Sequence, residues 1–500
     1  MRASSDRSIK ILLFIILFLS FVYFLPRWAD WGANSRLNLA LAIVEQGTFV
    51  IDDYYQNTGD YAYFEGHYYL DKAPGPSFLA VPVYGAVYPI LNLAPVQNLM
   101  IRVAASGAFS STLNEEGTGL LPDKIYDFLV LYWVTVVVVS IPSAFLGVIL
   151  FSFLRDLGLE RGWSAAVVLI YAWATNAFAY ASSFNSHQLT AFLLFGAFYL
   201  GYLMRKERLS WWWIIAAGFM LGYAVICEYP TALIALAVFI YIAVSMPDWR
   251  WMIALILSGL PPGLLLMGYN WTVFHTPLPV GYKYSELYTD LHSVGLFSIT
   301  YPHPEALFGL TFGSYRGLFF VSPVLLVALW GLVMWWKSRE HRKEWAVCVW
   351  SVLTLYLFYG SSAMWQGGYA VGPRYLVPML PFLVMGFQSF LKKWGKSRWV
   401  YYLVPVLAVI SFLVVWAETI GSQSFPDWTI NPLFNYSLPA LARNDIARNV
   451  GMALGLDGWA SLIPLLGIEL LLVFFLFRMV NKARADHLGE TDRRVDAVTG

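Results

Sequence analysis

The sequence predicts an all-helical protein that crosses a lipid bilayer many times, and three observations predict it. Of the 500 residues, 59% are hydrophobic and only 13% are charged, whereas soluble domains carry about 25% charged residues. Apolar runs reach the roughly 20 residues that a helix needs to span the hydrocarbon core. The 22 tryptophans and 31 tyrosines suit the aromatic belts at both membrane interfaces.

Composition also argues against several classes of protein. A transmembrane barrel would show short segments of alternating hydrophobicity, and a net charge of +1 gives no reason to expect a nucleic-acid partner. Cys227 and Cys348 both lie in apolar runs, which argues against a disulfide framework or a cysteine metal site. The first apolar run is followed by PRWADW, a poor cleavage site, so we expect a retained first helix.

About twelve spans are expected where apolar runs lie between charged or Pro/Gly breaks. They fall near residues 9–26, 125–153, 163–183, 187–204, 211–228, 230–246, 251–273, 316–336, 345–365, 374–391, 400–418 and 458–478. Short basic connections stay in the cytoplasm, which places both termini of this cell-membrane protein inside. We expect one transmembrane domain over 1–480 and a disordered cytoplasmic tail over 481–500. The basic connections contain Arg155, Arg161, Arg205, Lys206, Arg208, Arg250, Lys337, Arg339, Arg342, Lys343, Lys392, Lys393, Lys396 and Arg398.

The first outer segment is expected to hold two helices that do not span. Residues 76–93 are interrupted by Pro82 and Pro89. If they spanned the membrane, residues 94–124 would have to lie both inside and outside. They are interpreted as a juxtamembrane or re-entrant helix against the outer face. Residues 36–46 have the pattern of a short amphipathic helix. Most of the chain outside the bilayer then lies in three outer segments, so we expect the chemistry on the extracytoplasmic side. These segments are 27–124, 274–315 and 419–457.

Charge is concentrated between Arg27 and Gly75. The segment contains Asp30, Arg36, Asp52, Asp53, Asp60, Asp71 and Lys72. Lys72 stands before an Ala-Pro-Gly turn, where its ammonium group can bind a lipid phosphate. The alternative is an interfacial lysine that snorkels to the headgroups. Asp30 or Asp60 is a candidate general base for an acceptor hydroxyl, and a solvated carboxylate is the alternative for either.

Two further titratable candidates lie at predicted outer turns. Glu228 ends an apolar helix just before Pro230, and we expect it to face the bundle interior because exposure to lipid is costly. His187 lies in the turn NSHQ. A capping or solvated role is the alternative for Glu228, and a histidine that is merely hydrogen-bonded is the alternative for His187.

Arg316 and Arg374 begin predicted spans at the outer face, against the positive-inside pattern. An anionic, lipid-linked substrate would explain both, and structural salt bridges to the acids of the first outer segment are the alternative. Three glycines between 367 and 372 would let the backbone approach a ligand closely. Further candidates in the same segments are Tyr315 and Trp365.

Several features of the chain resemble a known family. An acidic first outer segment follows the first helix, Asp71-Lys72 stands before Ala-Pro, and a large outer loop follows the seventh span. In these features, and in GHYYLDKAPG, WQGGYAVGPRYLVPMLPFL and NPLFNYSLPALARNDIARNVGMALGL, the chain resembles prokaryotic protein O-mannosyltransferase-like glycosyltransferases of the GT-C superfamily. That family also includes the aminoarabinose transferases of lipid A. The resemblance covers nearly the whole chain and is strongest over residues 30–80.

The resemblance implies a GT-C-like bundle of about twelve transmembrane helices with juxtamembrane helices and large outer loops. It implies a polyprenyl-phosphate sugar donor and a lysine, matching Lys72, that contacts the donor phosphate. It also implies that an aspartate soon after the first helix acts as the base. The family's Asp-Glu-x-Arg element aligns, through Arg36, with residues 33–36, where the expected aspartate is missing. Asp30, one helical turn earlier, or Asp60 would then take its place.

The sequence therefore predicts an inverting membrane glycosyltransferase. A carboxylate would deprotonate the acceptor hydroxyl, which displaces polyprenyl phosphate while Lys72, Arg316 and Arg374 stabilise the leaving group. A transporter or flippase of a lipid-linked glycan, or a catalytically inactive relative, is the alternative; a transporter predicts mid-span charges and inverted repeats. Involvement of a divalent metal is left open, because the acids show no diagnostic ligand spacing.

Overall fold

The computed structural model describes residues 2–25, 30–104, 125–287, 294–295, 298–421, 425 and 429–499. Parts of all three outer segments, including Arg27, lie outside these residues. The helices are α1 (Arg2–Tyr23), α2 (Trp31–Gln46), α3 (Gly75–Leu91), α4 (Ala94–Ala104), α5 (Ile125–Asp156), α6 (Arg161–Trp173), α7 (Ala177–Ala181), α8 (Ser186–Arg205), α9 (Trp211–Cys227), α10 (Tyr229–Ala243), α11 (Arg250–Phe274), α12 (Pro304–Thr311), α13 (Leu318–Val321), α14 (Leu325–Ser338), α15 (Arg342–Gly360), α16 (Arg374–Trp394), α17 (Arg398–Gly421), α18 (433–442), α19 (Val450–Ala453) and α20 (Ile463–Thr499).

The predicted class, an all-helical multi-pass membrane protein, is confirmed. Within the described ranges, six helical segments are long and apolar enough to cross a membrane by length and composition: α5, α8, α11, α16, α17 and Gly458–Lys482. Three more apolar helices, α9, α10 and α14, are shorter. Some predicted spans are broken: 163–183 is interrupted between α6 and α7, and 316–336 between α13 and α14. Helix α20 continues to Thr499, through the tail that was expected to be disordered.

Glycines bring α9 and α11 into backbone contact. A Cβ atom on Gly218 would lie 2.4 Å from the carbonyl oxygen of Leu255, and one on Gly222 would lie 2.5 Å from that of Gly259. Two small residues four apart on one helix face allow this approach between membrane helices. The contact fixes the course of α9, whose last residue precedes Glu228.

The helix expected at 76–93 is present as α3, but its prolines do not interrupt it. Pro82 and Pro89 both lie inside α3, and the chain turns by 89° only between α3 and the residues that follow from Ala94. A bent pair of this kind is either a broken span or a re-entrant loop, and the second agrees with the prediction. The start of α3 packs tightly, because the Tyr223 hydroxyl donates to the Gly75 carbonyl at 2.9 Å.

The predicted amphipathic helix 36–46 is longer than expected and does not lie on the surface. Helix α2 begins at Trp31 and is buried without interruption from Gly32 to Ala42. Four polar residues lie in that buried stretch: Asn34, Ser35, Arg36 and Asn38. The spacing of apolar residues could not show this, because polar side chains that are buried against other parts of the protein look the same in sequence as polar side chains that face water.

A short β-hairpin follows α2, which the sequence analysis did not predict. Strand β1 (Ala62–Phe64) pairs antiparallel with β2 (His67–Tyr69), with Ala62 opposite Tyr69. Gly66, in the turn, has a φ of +89°, a conformation that glycine adopts without steric cost. Because the strands are antiparallel, the chain entering β1 lies beside the chain leaving β2. The hairpin thereby brings Asp60 next to Lys72.

We expect Gly75→Ala to destabilise the protein. The added methyl group would lie 2.7 Å from both Cys227 Sγ and the Ile226 carbonyl oxygen, and overpacking of this kind costs about 1–3 kcal/mol. The matched control is Gly85→Ala in the same helix, where no atom lies within 4 Å of the new Cβ. Thermal unfolding in detergent should show a lower midpoint for Gly75→Ala only. Equal midpoints would contradict the close approach of α3 and α9.

Candidate active site

A cavity of about 540 Å³ lies at one end of the helix bundle. Its walls come from α2, the end of the hairpin, the start of α8, the junction of α9 and α10, the end of α15 and the start of α16. The predicted site residues that line it are Arg36, Asp60, Lys72, His187, Glu228 and Arg374. Residues far apart in sequence are thus collected around one space large enough for a small polar ligand.

Lys72 enters the cavity as part of an ion cluster. Its Nζ lies 2.9 Å from Asp60 Oδ2 and 3.4 Å from Asp71 Oδ1. Burial alone would lower the pKa of Lys72, but the charges of Asp60 and Asp71 outweigh it and raise the pKa above its ordinary value. The lysine is therefore a permanent cation in the cavity wall.

Asp71 supports this lysine from behind and does not line the cavity. It is 2% exposed, and the Ser285 hydroxyl donates to its Oδ2 at 3.3 Å. Burial raises the pKa of the Asp71 carboxyl, and the charge of Lys72 opposes that rise. A Cβ on Gly281 would lie 2.7 Å from the Asp71 carbonyl oxygen, so the segment that follows α11 presses directly on the Asp71-Lys72 backbone.

Arg36 reaches the cavity from the buried face of α2. The residue is 6% exposed, and its Nη1 donates to the Gly32 carbonyl, one turn earlier, at 2.6 Å. Its Nε has no hydrogen-bond partner, and in the described part of the chain no carboxylate lies within salt-bridge distance of it. A guanidinium that is buried with unused N–H groups is costly unless something else satisfies them.

Arg374, at the start of α16, is also incompletely satisfied. Its hydrogen bonds are long, 3.5 Å to the Tyr369 carbonyl and 3.4 Å to the Tyr375 hydroxyl, and its Nε has no partner. The guanidinium lies 5.1 Å from the centre of the Tyr375 ring, close enough for a cation–π contact. The alternative of a salt bridge to an acid of the first outer segment is not found among the residues described.

Glu228 and His187 form a hydrogen-bonded pair on another wall. His187 Nδ1 lies 2.9 Å from Glu228 Oε2. Glu228 also accepts from the Ser186 hydroxyl at 3.4 Å and the Tyr359 hydroxyl at 3.2 Å. The pair forms because α8 begins and α9 ends at the same level of the bundle. Glu228 faces the interior, as predicted, and is 7% exposed.

Asp30 is not brought into the cavity. It is the N-cap of α2, with Oδ1 accepting the Ala33 backbone N–H at 3.2 Å. Its Oδ2 accepts from the Asn185 amide at 2.8 Å and the Ser183 hydroxyl at 3.4 Å. Both oxygens are thus engaged in fixing α2 against the turn before α8, and the role of Asp30 as base stays a prediction.

Arg316 is likewise outside the cavity lining. It is completely buried and donates to a ring of backbone carbonyls and one phenol. Its acceptors are the carbonyls of Gln366, Gly368, Ala370 and Phe425 and the Tyr315 hydroxyl, at 2.6–3.2 Å. These contacts leave it no direction in which to bind a donor phosphate. Instead it fixes the loop in which Gly367, Gly368 and Gly372 adopt φ values of +75°, +59° and +56°.

Tyr315 and Trp365 belong to this support. The Arg316 guanidinium lies 3.9 Å from the centre of the Tyr315 ring. Trp365 packs so closely on α12 that a Cβ on Gly309 would lie 2.3 Å from its ring. Neither side chain lines the cavity.

The sequence analysis missed the tyrosines of the cavity. Tyr359 and Tyr375 stack with ring centres 4.5 Å apart, and Tyr282 lines the wall beside Lys72. Their signal is weak, because tyrosines at the ends of apolar runs are expected as interfacial belts. In the described part of the chain, no group of three or more His, Cys, Asp or Glu residues is arranged to hold a metal ion.

Arg316→Lys should destabilise the protein strongly, because a lysine offers three donors on one atom and cannot reach the acceptors spread around Arg316. Leaving buried carbonyls unpaired costs about 1–3 kcal/mol. The control is Arg250→Lys at the exposed start of α11. Thermal unfolding of both variants tests the difference, and a wild-type midpoint for Arg316→Lys would contradict the supporting role.

Similar folds exist among solved structures. The chain is similar to ArnT from Cupriavidus metallidurans in the apo state over 96% of its own length and 74% of that chain, with 13% identity and a TM-score of 0.46. It is also similar to the oligosaccharyltransferase of Archaeoglobus fulgidus. In the apo form the coverage is 84% of this chain and 57% of that one, with 9% identity and a TM-score of 0.45. With a tethered acceptor peptide it is 83% and 55%, with 9% identity and a TM-score of 0.41.

The chain thus spans little more than half of the oligosaccharyltransferase. No protein-family model and no curated protein matches the sequence. ArnT and the oligosaccharyltransferase are GT-C glycosyltransferases, the kind of protein that the sequence resemblance indicated. The similarity concerns the course of the helices, and the functional argument rests on the residues of the cavity.

Proposed function

We propose that this protein transfers a sugar from a polyprenyl-phosphate donor to an acceptor hydroxyl on the extracytoplasmic side of the membrane. One observation carries the proposal: Arg36, Lys72 and Arg374 come from separate segments and meet at one cavity, and among the described residues neither arginine forms a salt bridge to a carboxylate. These two arginines therefore lack an anionic hydrogen-bond acceptor. The oxygens of a phosphodiester would supply it, since charge-assisted hydrogen bonds to phosphate are among the strong ones.

The remaining walls of the cavity suit a lipid-linked molecule. Leu233 and Phe358 line it from α10 and α15, beside the charged residues. A soluble phosphate compound would gain nothing from such a wall, whereas burial of apolar surface stabilises a bound isoprenoid by about 25 cal/mol per Å². This combination of cations and apolar side chains favours a donor with a hydrocarbon tail.

The helix directions support an extracytoplasmic site. Helix α8 begins at the cavity and ends at Arg205, followed by Lys206 and Arg208. Helix α15 begins with Arg342 and Lys343 and ends near Tyr359 in the cavity wall. The basic residues thus lie at the opposite end of the bundle from the cavity. The positive-inside rule places those ends in the cytoplasm and the cavity on the other side.

The chemistry is a displacement at the anomeric carbon. The acceptor oxygen attacks, the bond from carbon to phosphate oxygen breaks, and configuration inverts. Charge that develops on the leaving phosphate is stabilised by the three cations in a site that excludes bulk water. Of the two predicted aspartates only Asp60 lines the cavity, and its bond to Lys72 assigns it to holding that cation at the donor phosphate.

The test is sugar transfer or release from radiolabelled polyprenyl-phosphate sugars by the purified protein in lipid. Lys72→Met keeps the length of the side chain and removes its charge. A charged hydrogen bond contributes about 1.5–3 kcal/mol, so we expect kcat/KM to fall roughly 10- to 100-fold. Lys283→Met is the control, because Lys283 is exposed on a neighbouring loop and does not line the cavity.

Two results would contradict the proposal. One is a wild-type protein that consumes none of the lipid-linked donors. The other is a folded Lys72→Met variant as active as the Lys283→Met control. Thermal unfolding of both variants separates lost activity from lost structure, since Lys72 also pairs two buried acids.

A further inference from the structure

The His187–Glu228 pair has a defined proton arrangement. Glu228 is acceptor-only when ionised, so the 2.9 Å contact with its Oε2 requires the hydrogen of the neutral imidazole to be on Nδ1. The lone pair is then on Nε2. Among the described residues none forms a hydrogen bond with Nε2. His187 lines the cavity and is the histidine nearest to a substrate that occupies it.

The ring is also held in orientation. Tyr180 and Tyr375 contact it edge-on, with ring centres at 5.5 Å and 5.8 Å and interplanar angles of 90° and 81°. Glu228 cannot move to serve as a base itself, because its two oxygens already accept from Ser186, His187 and Tyr359. A carboxylate that orients an imidazole, with the far nitrogen of that imidazole open to substrate, is the arrangement used in general-base catalysis.

The pair lies close to the anion site. Asn185 also lines the cavity, two residues before His187. A Cβ on Gly32 would lie 3.3 Å from Arg36 Nη1 and 3.4 Å from Asn185 Oδ1, so the guanidinium of Arg36 and the residue just before α8 both lie beside Gly32. An acceptor hydroxyl at Nε2 and a donor phosphate at Arg36 would therefore share one small cavity.

We propose that His187, oriented by Glu228, is the general base that takes the proton from the acceptor hydroxyl; this rests on the proposed function. The O–H proton passes to His187 Nε2 while the acceptor oxygen forms its bond to the anomeric carbon. The carbon–oxygen bond to the phosphate breaks, and its electron pair leaves with polyprenyl phosphate. The imidazolium is stabilised by Glu228 and later gives its proton to solvent. Glu228 is a positioning residue.

The assignment predicts loss of activity on acidification. Protonation of Nε2 occupies the lone pair that would take the proton, and so removes the base. The titratable or charged groups that face the ring are Glu228 from the α9–α10 junction, Tyr180 from α7, Tyr359 from α15, and Tyr375 with Arg374 from α16. Activity that falls on acidification in wild type, but not in the variant without His187, would therefore report on the His187–Glu228 pair; this fall is called the acidic limb below.

The experiment measures kcat and KM against pH for wild type, His187→Gln, Glu228→Gln and His275→Gln. His275 is the matched control, since it forms an exposed histidine–glutamate pair with Glu65 at 3.3 Å. We expect His187→Gln to lower kcat by about 100- to 10,000-fold, with little change in KM for the donor, and to lose the acidic limb. Glu228→Gln should lower kcat less than His187→Gln does and should alter the acidic limb of the pH profile. His275→Gln should match wild type.

A folded His187→Gln variant with wild-type kcat, or with an unchanged acidic limb, would overturn the assignment while leaving the transferase intact. If His187→Gln does not fold, Glu228→Gln decides: a wild-type pH profile in that variant overturns the assignment. Binding of polyprenyl monophosphate is measured in parallel. A wild-type protein that neither binds this lipid nor consumes any donor overturns the proposed function itself, and the base with it.

Discussion

An ammonium group held between two carboxylates organises one end of this molecule. Lys72 lies 2.9 Å from Asp60 and 3.4 Å from Asp71, and every segment around it is arranged to keep that cluster intact. The hairpin brings together the segment before β1, which supplies Asp60, and the segment after β2, which supplies Asp71 and Lys72. Ser285 and Gly281 pack against Asp71. A buried charge without a partner is costly, so each member of the cluster depends on the others, and together they hold one cation at the cavity wall.

Three arginines illustrate how the environment decides what a side chain does. Arg316 is surrounded by carbonyl oxygens and uses its N–H groups to hold a glycine-rich loop. Arg36 and Arg374 each keep an unpaired Nε and face the cavity. Arg316 also helps to position Arg374, because the loop that it fixes leads directly into that residue. The same residue type thus serves as buried support in one place and as a cation lining the cavity in the other.

The sequence was sufficient for the class of fold and for the cluster of charge after the first helix, because hydropathy and isolated charges are local signals. Arg36, Asp60 and Lys72 were named from the charged first outer segment, and His187, Glu228 and Arg374 from outer turns and span ends. The structure brings all six to one cavity. Sequence could not distinguish Arg316 from Arg374, since both begin apolar runs and only the carbonyls around Arg316 separate them. Sequence also could not show that the two oxygens of Asp30 cap α2 and bind Asn185. The hairpin was missed because its strands are three residues each.

The backbone contact between α9 and α11 has a consequence for life in different bilayers. Gly218 and Gly222 bring the backbones of the two helices into direct contact, so we expect the pair to tilt as one body when the thickness of the membrane changes. One partner ends beside Glu228, and the other leads to the segment that packs on Asp71. We therefore expect these two walls of the cavity to tilt together, so that the distance between them changes little under hydrophobic mismatch.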